Sequence, residues 1–436
     1  MSEARVSIEK LAFGGSGVGR IDGKVCFVPY SCPGDELLVR ITAEKRSYLN
    51  ASIIDIIIPS SRRVTPSCPL FGRCGGCDWQ HVDYDCQLEA KRSILADALW
   101  RGARVPVELV RETIASPLRY GYRSRVQFKL HGRSQRLQIG FFRQGSHFVE
   151  DAPAGCPIAL PVINQALQRL REVLAEFPEP DMIPQINIDC GDHGAVAIVN
   201  YIGRDADRTA AFFKKKFSSL SPLTGLYLQT GRKATLCRVC GDDLLVYGLP
   251  DGHGGECSLG FRPGGFSQVN GLQNRAILAL IRQFAAFGGH ERILDLYCGN
   301  GNFSLPLAGE VAHLTGIEEY PDSIAAAVDN ARRNGIQNAE FLCSDATAGI
   351  TRLAGEGRGV FDTVILDPPR SGAADAVGAL VRSGAEKIIY VSCDPSTLAR
   401  DCGHLSGSGY QVLASVPVDM FPQTYHLESV TLLQRV

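Results

Sequence analysis

Cys393 stands in Val391-Ser392-Cys393-Asp394-Pro395-Ser396, where an apolar run ends and a helix signal begins. Asp394-Pro395 reads as an N-cap followed by the first helical position. A helix N-terminus favours thiolate over thiol, so the pattern predicts a lowered pKa and a nucleophile. The bland alternative is a small buried hydrophobe, the common fate of a free cysteine. Tyr425-His426-Leu427-Glu428-Ser429 precedes the last apolar run and offers a base. Glu428 is the choice for that role and His426 the competitor. A thiol that adds and a separate group that later removes a proton make a covalent-catalysis pair.

Carboxylates recur at the ends of other apolar runs. Arg292-Ile-Leu-Asp-Leu-Tyr297 leads into Cys-Gly-Asn-Gly-Asn302, and Glu318, Asp345 and Asp367 end or follow the next three runs. Gly299 and Gly301 let a ligand approach the backbone in the first turn. Glu318 can accept both hydroxyls of a ribose, Asp345 can meet an adenine edge, and Asp367 opens Asp-Pro-Pro-Arg370. The glycine spacing departs from the dinucleotide G-x-G-x-x-G pattern, and no P-loop lysine is present. An adenosine ligand without a pyrophosphate fits best, which favours S-adenosylmethionine over NAD.

Cys68-x5-Cys74-x2-Cys77 forms a third constellation. A redox pair lacks a thioredoxin-like context. Structural zinc normally shows two paired knuckles, and Cys237-x2-Cys240 would serve that alternative. Three grouped cysteines with one distant partner, such as Cys156 in Gly-Cys-Pro, suit a four-iron, four-sulfur cluster better. Cys26, Cys190 and Cys343 lie in strand patterns and read as core.

These groups need elements to hold them. At 436 residues the chain is too long for one ordinary domain. With 45% hydrophobic and 21% charged residues it reads as folded soluble protein. No apolar run reaches the ~18 residues that span a bilayer, and the polar start is no signal peptide, so a cytoplasmic protein without membrane association is expected. In that reducing compartment the 15 cysteines are not read as disulfides.

The expected fold is multidomain α/β. Residues 1–60 read as a small OB-like β-barrel, with strands at 25–29, 37–41 and 51–58. Residues 61–260 read as an α+β domain carrying the cysteine site, with part of 84–118 packing on the catalytic domain. Within it, helices are expected at 84–100, 160–177 and 208–217, and strands at 126–130 and 195–201. Residues 261–436 alternate strand and helix as a doubly wound, Rossmann-like sheet, with strands at 292–297, 313–318, 339–344, 361–366, 387–392, 410–418 and 429–436.

The net charge of −1 does not announce a nucleic-acid binder. Locally the picture differs. Arg111, Arg119, Arg123, Arg125, Lys129, Arg133, Arg136 and Arg143 are opposed within the segment only by Glu112 and Glu150, and Tyr120, Tyr122, Phe128, Phe141 and Phe142 are interleaved. Cations neutralise phosphates and aromatic faces stack on unpaired bases, which suits single-stranded RNA. The competing reading is a solvated face of a sheet.

Together these residues resemble the iron–sulfur uracil-C5 RNA methyltransferase family, along essentially the whole chain. The resemblance implies an N-terminal TRAM barrel, a 4Fe-4S cluster on Cys68, Cys74, Cys77 and Cys156, Cys393 as nucleophile and Glu428 as base. It also makes Gln268 (in Gly264-Gly-Phe-Ser-Gln-Val-Asn270), Tyr297, Asn302, Glu318, Asp345 and Asp367 contacts of S-adenosylmethionine. The implied reaction adds the thiolate to uracil carbon 6, methylates carbon 5 and removes the carbon-5 proton so the thiolate leaves; the uridine must be unpaired or flipped out. The implied substrate is 23S ribosomal RNA, with tRNA as the alternative, and the implied state is a monomer.

The sequence departs from the family pattern in Asp394 and Ser124, where Asn is common, and in its near-neutral charge. A catalytically inactive RNA-binding protein is the runner-up, opposed by the presence of both Cys393 and Glu428. An amino-group methyltransferase ranks lower, because Arg370 follows Asp367-Pro-Pro where Tyr or Phe is usual.

Overall fold

The computed structural model of the chain describes residues 2–133, 136–231 and 235–436. Five strands close the N-terminal barrel: β1 (Glu3–Leu11), β2 (Gly17–Ile21), β3 (Lys24–Val28), β4 (Glu36–Glu44) and β5 (Tyr48–Ile58). Their order is β1-β2-β3-β5-β4, and β4 returns to pair with β1, so no edge is left open. Val6, Ile8, Cys26, Val28, Leu37 and Val39 fill it. Sequence pattern identified β3, β4 and β5 but not β1, where charged outward residues surround a buried set of Val6, Ile8 and Leu11.

After the cysteine-rich segment comes α1 (Tyr84–Ala103). Asp83 caps it by accepting from Cys86 N at 2.8 Å, and Arg104 ends it in the left-handed conformation. The central sheet uses β6 (Arg125–Arg133), β7 (Arg136–Phe142), β8 (Val149–Asp151), β9 (Gln185–Gly191), β10 (Gly194–Asn200), β11 (Gly225–Gln229) and β12 (Leu236–Gly241), in the order β12-β11-β10-β9-β6-β7-β8. Two helices, α2 (Pro161–Ala175) and α3 (Ala206–Lys216), bury Ile163, Leu167, Leu170 and Phe213 against one face. A hairpin of β13 (Leu245–Pro250) and β14 (Glu256–Phe261) then leads into the last domain.

That domain contains α4 (Gly271–Ala285), β15 (Arg292–Leu296), β16 (His313–Glu318), α5 (Pro321–Arg333), β17 (Ala339–Cys343), α6 (Ala346–Gly355), β18 (Thr363–Leu366), α7 (Ala374–Ser383), β19 (Lys387–Ser392), α8 (Pro395–Ser406), β20 (Tyr410–Val418) and β21 (Glu428–Arg435). The sheet order is β17-β16-β15-β18-β19-β21-β20. The first five strands are parallel, and β21 and β20 are added antiparallel. Strand order reverses between β15 and β18, the switch point where open α/β sheets bind ligands.

Apolar strands buried on both faces explain the two cores. One includes residues of α6, α7 and α8, the other residues of α4 and α5. The first core also takes Ile94, Leu95 and Leu99 of α1, so a helix outside the parallel sheet's own sequence completes its cover. Gly102 lets α1 approach α8 closely: a Cβ there would lie 2.7 Å from that of Ala399. Among the described residues no helix is long and apolar enough to cross a membrane.

Candidate active site

The carboxyl edge of the last sheet gathers most of the residues singled out by sequence. Glu318 ends β16, Asp345 caps α6 just beyond β17, Asp367 follows β18 and Cys393 follows β19. Because β21 runs antiparallel, its first residue, Glu428, reaches the same edge. Ser392 pairs with Ser429 in register, so Cys393 and Glu428 face each other one step beyond that rung. Two groups 35 positions apart in sequence thus become neighbours.

Glu318 is fixed through both oxygens, accepting from Gly299 N at 3.1 Å and Tyr320 N at 3.0 Å. Asp345 accepts from Ala348 N at 2.9 Å, which ties up one of its oxygens. Tyr297 takes a left-handed backbone (φ 62°) at the end of β15, a strained conformation for a bulky residue. Burial raises its phenol pKa, as do nearby carboxylates that include Asp345 and Glu318. Asn302 exchanges amide hydrogen bonds with Asn274 (2.8 and 3.0 Å) and accepts from Tyr247 Oη at 2.9 Å, which leaves one N–H to offer. Gln268 is half-buried in the segment entering α4.

The electrostatics of Cys393 oppose the expectation from its helix. Asp394 does cap α8, accepting from Ser396 N (2.9 Å) and Thr397 N (3.1 Å), a role an Asn would also fill. Yet the thiol is not lowered. Burial, then the charges of Glu428 and Asp367, push it up to about 12, and Arg370 only partly offsets them. Desolvation first, and two carboxylates second, hold the thiol up even at a helix N-terminus. Glu428, 6% exposed, is held well above the usual carboxylate range by burial first and Asp367 second. Burial alone lifts Asp367 to about 7. Burial and Arg370 push His426 down to about 4, which makes it a weak base.

Asp295 and Arg370 escaped the sequence reading of the site. Asp295 lies inside β15, 1% exposed, and neither of its oxygens has a well-formed hydrogen bond among the described residues. Burial raises it to about 7, with Ser304 offsetting part of the effect and Asp367 and Glu318 adding to it. An acid inside an otherwise apolar run was the available signal. Arg370, which in the sequence marks a departure from the amino-methyltransferase motif, places its guanidinium 3.5 Å from His426 Nδ1 and favours the ionised forms of Cys393 and Glu428.

The cysteine constellation is drawn from the segment before α1 and the loop before α2. Cys68, Cys74, Cys77 and Cys156 are all half-buried. Burial first, then the neighbouring thiols, raise Cys74 to about 11 and Cys77 to about 12, and Cys156 is raised by burial and Cys68. Each of the three therefore feels others of the set. The loops are pinned: Cys74 N donates to Leu70 O at 2.9 Å, and Asn164 bonds both the N–H and C=O of Cys156. Among the described residues no three His, Cys, Asp or Glu side chains converge as around a single metal ion. Cys237 and Cys240 lie apart, on β12.

The basic segment is less free than its composition implied. Arg125 pairs with buried Asp189 at 2.8 Å and also donates to Gly265 O, and Arg143 pairs with Glu150 at 2.5 Å. Ser124 N and Oγ both donate to Val269 O. The bonds to Gly265 and Val269 join the central sheet to the entry of α4. The Arg133 and Arg136 side chains lie outside the described residues. Lys129, Phe142, Arg143 and His147 nonetheless line an open groove of about 550 Å³ beside Gly75 and Gly76, with Lys129 Nζ 5.2 Å from the Phe142 ring centre.

Comparison with known proteins places these features in context. Residues 254–436 match the family described as tRNA (Uracil-5-)-methyltransferase, and residues 2–54 match the TRAM domain. The chain is 36% identical to the 23S rRNA (uracil(1939)-C(5))-methyltransferase RlmD of Alkalilimnicola ehrlichii, over 99% of this chain and 96% of that protein. It is 35% identical to the enzyme of the same name from Thiobacillus denitrificans, over 99% of each. The crystal structure of Pyrococcus abyssi tRNA (uracil-54, C5)-methyltransferase in complex with S-adenosyl-L-homocysteine superposes with a TM-score of 0.76 at 27% identity, covering 98% of this chain and 99% of that one.

Proposed function

Because the chain belongs to the TRAM-containing family of S-adenosylmethionine-dependent RNA uracil-C5 methyltransferases, we propose that it methylates one uridine of 23S ribosomal RNA through a covalent adduct on Cys393. The observation that carries the mechanism is the placement of Cys393 and Glu428 opposite each other at the sheet's carboxyl edge. Cys393 adds to carbon 6, carbon 5 becomes enolate-like and takes the methyl group, and Glu428 removes the carbon-5 proton so that Cys393 leaves. Glu428 suits this better than His426, because a carboxylate with raised proton affinity is the stronger base.

S-adenosylmethionine supplies an electrophilic methyl group on a positively charged sulfonium. Glu318 and Asp345 are assigned to ribose and adenine, Tyr297 and Gln268 to the walls of that site, and Asn302 to its Gly-rich turn. Asp295 and Asp367 are assigned to the cationic methionine end, because the buried, unpartnered Asp295 carboxylate needs a positive partner and Asp367 is close enough to raise its proton affinity. The same cation would favour the ionised forms of Cys393 and Glu428. The nucleophile is thereby held neutral until the methyl donor is in place.

Cys68, Cys74, Cys77 and Cys156 fit a 4Fe-4S cluster by donor chemistry: four half-buried thiols supply soft sulfur ligands, and burial with neighbouring members of the set raises the proton affinity of Cys74, Cys77 and Cys156. Cluster ligands also stand farther apart than the ligands of one ion. Held there, the cluster would cross-link the segment before α1 to the loop before α2. The groove beside this segment, with Lys129, Phe142 and His147, is assigned to the RNA strand.

The decisive experiment replaces Glu428 with Gln and incubates the protein with RNA and S-adenosylmethionine. The expected result is a methylated RNA–protein adduct that survives denaturing gels; its failure to accumulate removes Glu428 as the base. Mapping 5-methyluridine in 23S rRNA and tRNA from a deletion strain identifies the RNA, and loss confined to tRNA would overturn the ribosomal assignment.

A further inference from the structure

Glu428 is delivered to the sheet edge by the loop of residues 419–427, and this loop is gripped by elements from across the chain. Lys91 of α1 forms an ion pair with Asp419, both fully buried, and Tyr84 Oη donates to the same carboxylate at 2.6 Å. Tyr122, from the central domain, donates to Pro422 O at 3.0 Å. Asn270, the N-cap of α4, donates to Met420 O at 3.1 Å.

The centre of the grip is Gln423. It is 4% exposed and left-handed (φ 71°), a backbone state that glycine would adopt without strain. Its carbonyl accepts from Asp78 N (3.1 Å) and Trp79 N (3.0 Å), the two residues directly after Cys77. Its N–H donates to Gln87 Oε1 at 3.0 Å, and its Oε1 accepts from Gln87 Nε2 at 3.1 Å. Gln87 Nε2 also donates to Trp79 O at 3.1 Å, so loop, cysteine-rich segment and α1 form one closed clasp. The Gln side chain adds its bond to Gln87 to those of the left-handed backbone.

We propose that Gln423, clasped by Gln87, is a positioning residue for proton removal by Glu428. The assignment rests on the reading of Glu428 as the base. Cys393 is set by β19 and by the Asp394 cap of α8, whereas the hydrogen bonds of Gln423 go to Asp78, Trp79, Gln87 and Arg119. Glu428 is the first residue of β21 and continues directly from the loop. Loosening the clasp therefore moves the base and leaves the nucleophile in place.

The test uses the full-length, cluster-loaded protein in single-turnover reactions with a 23S rRNA transcript carrying tritium at uracil carbon 5. Gln423→Gly keeps the left-handed backbone and deletes the amide. Gln87→Met deletes the clasp from the other side and leaves Gln423 intact. In both, tritium release should slow at least about tenfold and adduct should accumulate, while adduct formation stays within about twofold and S-adenosylhomocysteine affinity is unchanged. Release and formation falling by the same factor, no change in either, or loss of folding in both variants overturns the assignment. Glu428→Gln is run in parallel. If it fails to trap adduct, the base reading itself is lost; if it traps adduct while the clasp variants keep the wild-type ratio, only the clasp is lost.

Discussion

Cys393 and Glu428 face one another across the open end of the β19–β21 pair, and carboxylates couple them electrostatically: Glu428 raises the thiol, and Asp367 raises both the thiol and Glu428. The thiol is thus held protonated at one sheet edge, beside a carboxyl group whose proton affinity is raised. The consequences can be measured.

Cys393→Ala should lower methyl transfer by at least about four orders of magnitude, because no other group replaces the attack on carbon 6. Affinity for S-adenosylhomocysteine, measured by calorimetry, should stay within about twofold, since the residues proposed to contact adenosine, Tyr297, Glu318 and Asp345, stand at the ends of β15, β16 and β17 and not of β19. Retained turnover would refute the covalent route.

The raised Cys393 thiol sets a pH dependence. With a pKa near 12 the thiol is protonated at neutral pH, so its alkylation by iodoacetamide should be slow and should rise about tenfold per pH unit through pH 8 to 10. Peptide mapping separates it from the other cysteines. A positively charged sulfonium analogue should accelerate the labelling at pH 7.5, and neutral S-adenosylhomocysteine should not. Fast labelling of the ligand-free protein at pH 7 would contradict the electrostatics.

Asp295 links stability to pH. Its folded pKa, about 7, lies above the unfolded value, so its favourable contribution is full below about 4 and is lost as pH rises through about 7. Asp295→Asn removes that loss. In thermal melts of the cofactor-free protein, the variant's Tm advantage should therefore grow from pH 5 to pH 8, while its affinity for S-adenosylhomocysteine falls. A Tm difference independent of pH would argue against a buried charge.

Lys91→Met leaves the Asp419 carboxylate buried without its cation, at a cost of about 3–5 kcal/mol in urea unfolding. The double variant Lys91→Met, Asp419→Asn should recover most of that loss, because no charge is then stranded. Additive losses would show that the pair is not the source of the effect.

Cys156→Ser should abolish the brown colour and the iron content, about four atoms per chain, of anaerobically purified protein. Stoichiometric zinc in a colourless wild-type protein would instead refute the cluster.

The sequence by itself determined the chemical inventory and the sheet that carries it. Apolar strands buried on both faces announce themselves as continuous runs, so the strands through Glu318, Ser392 and Val418 could be bounded by pattern alone, and the acids at their ends followed. The barrel was legible as β-structure, though β1 and β2 were not: β1 has one buried face among many charges, and β2 is a five-residue strand with two glycines beside a Gly-rich turn. Only the tertiary structure decided the electrostatics. Helix capping is local and readable from Asp394-Pro395, whereas the desolvation and the facing carboxylates that reverse its effect on Cys393 come from β18 and β21, far away in sequence. Likewise the buried carboxylate of Asp295, the pairing of Arg125 with Asp189, and the clasp between Gln87 and Gln423 join residues that no periodicity relates. Residue types fix which protons and charges are available; burial and neighbours fix their pKa values, and both exist only once the chain has folded.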